Sequence, residues 1–209
     1  NGSVEGLYSI AQGINVEASG YTSYCQGVNS KSGADYSYAR GVNVYATKEH
    51  SFVAGYATNS AHHIYSDGVN SFVHMYSTLG VSTGTLADYS VILGGTNHDI
   101  ASAANSSVII GGGNNKINTN VVNSAIIGGT NITAITQNTV YVPRLVLDNS
   151  VSVNEDGAIW FDGTDLYGYR NGSSGKLITP VSNTNENAII TFDATNGNKD
   201  SIRARLIAF

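Results

Sequence analysis

The side chains able to do chemistry are few, and their spacing serves chemistry badly. Among 209 residues there are five histidines, one cysteine and 15 acidic residues. Three histidines fall in one stretch, His62, His63 and His74, with His50 and Asp67 nearby. Consecutive strand residues point to opposite faces, so His62 and His63 cannot both ligate one central ion. Surface or loop histidines are the preferred reading, and no metal site is expected.

Glycan cleavage would need two carboxylates at a fixed separation, one protonated and one ionised. The one acidic cluster toward the end of the chain is Asp156, Asp162 and Asp165, and its members belong to Asp-Gly turns or to an Asp-Gly-Thr-Asp bend, where the carboxylate serves the backbone. No acid and base are assembled, so no catalytic residue and no enzyme activity are expected. Gly-Gly pairs at Gly94, Gly111 and Gly128 are not phosphate loops, because no Lys-Ser or Lys-Thr follows them. No cofactor is expected. Cys25 stands in SYCQG where related segments carry Ala11, Ala39 and Val53, so it reads as a small buried filler. Asn-x-Ser/Thr triplets at Asn1, Asn105, Asn131 and Asn171 match a glycosylation pattern that a chain so rich in these residues meets by chance.

The elements that must position these residues are repeats. SVILGGTN from Ser90, SVIIGGGN from Ser107 and SAIIGGTN from Ser124 recur every seventeen residues. A period too short to fold alone, with the same apolar triplet each time, predicts stacked coils that bury a shared core. Upstream the period is fourteen: Ser9, Ser23, Ser37 and Ser51 are each followed four residues later by Gly13, Gly27, Gly41 and Gly55. Asn15, Asn29 and Asn43 come next, at positions suited to a left-handed corner and to amide ladders. A second short strand is expected at Ala18, Ser32, Ala46 and Ser60, with one large and one small apolar file facing inward.

Between the two periods the glycine spacing breaks, since Gly68 follows Gly55 by thirteen and Gly80 follows Gly68 by twelve. HHIYSDGVNSFVHMYSTLG is therefore expected to form irregular coils or a side excursion. The three extra residues of each later coil are expected to enlarge the bend after GGTN, as in NHDIASAAN. NTVYVP, ending at Pro143, reads as the last coil of roughly ten, a rod of about 45 Å. Asp-Gly and Asn-Gly turns then predict a small antiparallel meander, and AIITFDATNGNKDSIRARLIAF predicts a terminal hairpin. The resulting division is a β-roll shaft over 1–147, a meander over 148–180, and a linker with hairpin over 181–209.

Composition agrees with an all-β chain. Gly numbers 24 and Tyr 13, and only 12% of residues are charged. The net charge of −5 is scattered, with no basic stripe to neutralise phosphates, so nucleic acid is not an expected partner. No apolar run approaches the roughly 20 residues that cross a bilayer as a helix. The chain opens at Asn1 without Met, which suggests a fragment or processed product.

The Ser-x-Ala-x-Gly units with their following Asn resemble the parallel β-roll heads of trimeric autotransporter adhesins. GAIWFDGTDLYGYRNGSSGKLIT resembles the short hairpin module near the ends of bacteriophage tail fibres and related virion appendages. Members of both families are homotrimers, so the resemblance implies three chains around one axis. Thin fourteen-residue coils agree with this, for three rods side by side would bury apolar flanks that one rod leaves open.

These readings converge on a structural and adhesive part of a phage tail fibre or similar appendage, located on the virion. Its expected partners are itself, other virion tail proteins and a host cell-surface glycan or protein. The alternatives are the head of a bacterial trimeric adhesin at the cell surface and a polysaccharide-cleaving tailspike. An ice-binding solenoid would want long regular threonine files, which are missing. Aromatic residues in the break and the meander can stack on sugars or fill subunit contacts. The surface-recognition candidates are therefore His62, His63, Tyr65, Tyr76, Trp160 and Tyr167.

Overall fold

A computed structural model of the chain describes residues 2–78, 80–144, 159–161, 166–170 and 173–178. The chain divides into two compact units between Arg144 and Leu145. No helix occurs among the described residues.

The first unit is a parallel β-solenoid of about nine turns. It begins with β1 (Ser3–Val4) and two long strands that each run through both strand positions of a coil, β2 (Ile10–Ala18) and β3 (Tyr24–Ser32). Every later coil holds two strands. These are β4 (Tyr38–Val42) with β5 (Val44–Ala46), β6 (Phe52–Ala57) with β7 (Ile64–Ser66), and β8 (Phe72–Ser77) with β9 (Thr83–Thr85). There follow β10 (Val91–Thr96) with β11 (Asp99–Ile100), β12 (Val108–Ile110) with β13 (Lys116–Ile117), and β14 (Ala125–Ile127) with β15 (Thr133–Ala134); β16 (Val140–Tyr141) closes the series. From β4 onward first strands pair only with first strands and second with second, giving two parallel faces, here the first and second sheets, which β2 and β3 join into one 16-stranded sheet.

Strand alternation decides what is inside. The buried file of the first sheet is the small position two residues after each Ser, occupied by Cys25, Ala39, Val53, Val73, Ile92, Ile109 and Ile126. The second sheet supplies Ala18, Ser32, Ala46, Ser66, Thr85, Ile100, Ile117 and Ala134. Inward residues grow from Ala and Ser to Ile as the coils lengthen from fourteen residues to seventeen, so cross-section and side-chain volume rise together. Larger inward residues, Val16, Val44 and Ile64, precede the small file of the second sheet by two positions. Tyr24, Tyr38, Phe52 and Phe72 directly follow the serines and therefore point outward, stacking at 4.8, 4.7 and 4.7 Å between ring centroids.

Corners explain the serines, asparagines and glycines. Ser37, Ser71 and Ser90 are buried, and each hydroxyl meets a hydroxyl of the same coil at Ser32, Ser66 or Thr85, closing the second bend from within. The residue before each serine sits in the left-handed region, including Tyr8, Tyr36 and Tyr89. Asn15, Asn29 and Asn43 take the same conformation at the opposite corner, and their amides form the expected ladder. Gly27 has φ 135°, and a Cβ there would lie 1.8 Å from the Gly41 carbonyl oxygen of the next coil.

The break is a side excursion with intact strand register. Phe52 pairs with Phe72 and Phe72 with Val91, giving coils of twenty and nineteen residues. Compared with a fourteen-residue coil, six extra residues, 58–63, leave the corner between first and second strands, and the next coil carries five extra residues of sequence, the second excursion, between Ser77 and Thr83. Met75 rather than Gly68 takes the place of Gly55, and Ser66 rather than Ser60 that of Ala46. Glycine spacing misleads here because SFV at Ser51 and SFV at Ser71 carry the register.

The extra residues of the seventeen-residue coils are also distributed differently from the expectation. One enters as a bulge between Leu93 and Thr96, where Gly94 and Gly95 have φ of 72° and 80°. Two lengthen the bend after the second strand, six residues lying between Ile100 and Ser107 where four lie between Ala18 and Ser23.

In the second unit β17 (Ile159–Phe161), β18 (Leu166–Arg170) and β19 (Ser173–Ile178) pair antiparallel. The Asp162-Gly163 and Asn171-Gly172 turns, the Asp156 and Asp165 carboxylates, and the expected linker and hairpin over 181–209 lie outside the described residues.

Candidate functional site

The outer file of the second sheet runs Glu17, Lys31, Tyr45, Tyr65, Gly84, Asp99, Lys116 and Thr133, one residue from each coil. It is polar and charge-balanced. Lys31 Nζ lies 2.8 Å from Glu17 Oε1, and that hydrogen bond holds the Glu17 carboxyl below the usual carboxylate range. Gly84 presents no side chain, so the Tyr65 ring passes over it and its hydroxyl donates to Asp99 Oδ1 at 2.9 Å. Burial and the Asp99 charge push the Tyr65 phenol well above its ordinary range. Lys116 Nζ completes the run 3.5 Å from Asp99 Oδ2.

The first excursion arches over the earlier coils at the asparagine corner. Thr58, Asn59, Ser60 and Ala61 are exposed, whereas His62 and His63 are half-buried. The turn supports itself locally: the Asn59 side chain accepts the Ala61 N–H at 2.9 Å, and the Asn59 carbonyl accepts the His62 N–H at 3.2 Å. His63 lays its ring on Tyr45, centroids 3.9 Å apart. Burial holds its imidazole below the ordinary histidine range, with the neighbouring His62 acting in the same direction. The second excursion braces the first, since the Thr83 N–H reaches the His63 carbonyl at 3.0 Å and Ser82 Oγ accepts the His63 N–H at 3.1 Å.

Beneath the first excursion lies an open groove of about 340 Å³. It is lined by Asn15, Asn29 and Ser30, by Glu17, Lys31 and Tyr45 of the outer file, and by Ser60 of the excursion.

The six recognition candidates do not form one site. His63 and Tyr65 flank Tyr45 on the second sheet, and His62 precedes them in the excursion. Tyr76 belongs to the first sheet, where it stacks on Tyr56 at 5.7 Å. Trp160 pairs with Tyr167 across β17 and β18 in the second unit. His62 and His63 lie in a turn and its exit rather than in a strand, so face alternation is not what separates them. No three His, Cys, Asp or Glu side chains come together as a metal-binding group among the described residues. Cys25 is fully buried, and burial raises its thiol pKa. Phe72 and Tyr76 each cover a ring face with an aromatic neighbour, which removes that face from sugar stacking.

Sequence reasoning passed over the groove residues Asn15, Asn29, Lys31 and Tyr45. Their signal was the fourteen-residue offset itself, which places Glu17 opposite Lys31 and Asn15 opposite Asn29. No protein-family model matches the chain, and no curated protein matches it.

Proposed function

We propose that the chain is a structural and adhesive component of a bacteriophage tail fibre or related virion appendage. It assembles as a homotrimer whose solenoid is a stiff shaft, followed by a small β-meander over 148–180, and it holds surface loops against a host-cell glycan or protein. Threefold display multiplies contacts that are individually weak.

The observation that carries this reading is the outer face of the first sheet. Its two outward files are Ile10, Tyr24, Tyr38, Phe52, Phe72, Val91, Val108, Ala125, Val140 and, two residues on, Leu93, Ile110, Ile127 and Val142 in the later coils. Leu93, Ile110 and Ile127 are 48%, 41% and 45% exposed. In the earlier coils the second file is Gln12, Gln26, Arg40, Ala54 and His74, so both files are apolar together only from Val91 onward. An apolar stretch of this kind on a parallel sheet is what lateral association covers. Charges are missing from its later half, where an isolated soluble rod would need them.

Light scattering over a dilution series tests the assembly: three chains are expected at every concentration, and a stable monomer overturns it. The appendage itself is tested by the reading frames beside the gene, where tail-assembly genes are expected and a secreted-adhesin membrane anchor would replace this reading.

A further inference from the structure

The groove under the first excursion has an unused hydrogen-bonding end. Asn15 Nδ2 donates to Asn29 Oδ1 at 3.0 Å, Asn29 Nδ2 to Asn43 Oδ1 at 3.3 Å, and Asn43 Nδ2 to the Ala57 carbonyl at 2.8 Å. Every donor in this ladder points the same way. The run therefore finishes at the exposed Asn15 Oδ1, an acceptor to which no described residue donates. Beside it Lys31 offers three N–H donors, of which the Glu17 carboxylate takes one. The ion pair leaves the groove with no net charge.

Four of the six residues in the excursion beside this groove, Thr58 to Ala61, are exposed, while His63 anchors its end on Tyr45. Four consecutive residues that leave a regular coil without burying apolar surface mark a surface built for contact.

We propose that this groove binds a neutral polyhydroxylated ligand, a short stretch of hexose or N-acetylhexosamine polymer lying along the coil axis. Ligand hydroxyls donate to Asn15 Oδ1 and accept from Lys31 Nζ, and the part of the Tyr45 ring that His63 leaves uncovered offers an apolar wall to sugar C–H groups. Balanced charge gives an acidic sugar no advantage. Successive coils advance about 4.8 Å, close to the length of one hexose unit in an extended glycan, so Asn15 and Asn29 meet successive units. The identity of the ligand as a cell-surface glycan rests on the adhesive reading above, whereas the groove chemistry does not.

The test is saturation-transfer NMR and calorimetry on the whole chain with millimolar chitotetraose, maltohexaose and mannohexaose, and with a hyaluronan tetrasaccharide as the acidic counterpart. At least one neutral oligosaccharide is expected to bind. Ser60→Trp, which fills the groove from an exposed loop, is expected to weaken it at least about tenfold, a difference of ~1.4 kcal/mol, with unchanged circular dichroism. Ile135→Ser, at an exposed position in a late coil outside the groove, keeps binding. Three results overturn the proposal: no binding of any neutral probe, tighter binding of the acidic one, or affinity indifferent to Ser60→Trp. Light scattering on the same samples separates the two readings. A trimer that binds no sugar removes the groove proposal alone, and a sugar-binding monomer removes the trimeric shaft alone.

Discussion

Gly27 illustrates how narrowly single positions are specified. Its backbone lies at positive φ, and the Gly41 carbonyl oxygen stands where an alanine would place its methyl group, so the substitution has no room. Gly27→Ala is expected to cost about 2 kcal/mol or more, read as a lower denaturation midpoint, while Gly80→Ala, which meets nothing within 4 Å, should leave the midpoint unchanged. Equal effects at both sites would refute the close-approach account. His98 makes a second case. It is 0% exposed, its Nδ1 accepts the Asn115 N–H at 3.2 Å, and its Nε2 has no partner. Burial holds its folded-state pKa below the ordinary value, so the unfolded chain takes up this proton first as pH falls. Its stabilising share is complete above about pH 6.5 and is lost as pH falls through the folded-state value. Asn115 occupies the same place one coil later, its Oδ1 accepting the Ile132 N–H. His98→Asn is therefore expected to flatten the fall in unfolding midpoint between neutral and mildly acidic pH, leaving the share due to His63. An unaltered slope would count against His98.

Among elements, the corner excursion is separable from the coil that carries it. Strand pairs on both sides keep register through it, Phe52 with Phe72 and Tyr45 with Tyr65. Removing residues 58–63 and changing Ala57→Asn recreates a fourteen-residue coil with an asparagine at the corner, the arrangement found at Asn15 and Asn29. The shortened chain should fold with the same far-ultraviolet spectrum and lose no more than about 2 kcal/mol, since the bonds from Thr58 to Ser77, from His63 to Ser82 and from Thr83 to His63 disappear. Loss of the β-sheet spectrum would show that the excursion is part of the folding unit. The same deletion removes Ser60 and so the roof of the groove.

At the scale of the whole molecule, the first-sheet outer face is the feature that one chain leaves unsatisfied. Ile110 lies in its later half, outward between Leu93 and Ile127 and away from the core. Ile110→Asp places a charge there without disturbing the buried Ile109 file. It is expected to shift the light-scattering mass from three chains toward one while the sheet spectrum is retained; an unchanged mass would move the interface elsewhere. Ser60→Trp, in the corner excursion, should leave the assembly intact.

Local chemistry along the chain was enough to specify the coil. Each turn repeats the same demands, a serine to close a bend, a small residue inside, a glycine where backbones approach, an asparagine at a left-handed corner, and these requirements are satisfied within a dozen residues. The burial of Cys25 and the amide ladder were legible for the same reason. Long-range packing alone settled which coils are neighbours across the break, how three extra residues split between a Gly-Gly bulge and the far bend, and that Tyr24 to Phe72 stack outside. Those outcomes depend on hydrogen-bond register between coils, and glycine spacing carries no information about register once an insertion intervenes. The groove belongs to the same class: Ser60 stands over Asn15 and Lys31 because an excursion folds back across three coils, a contact that no local pattern encodes.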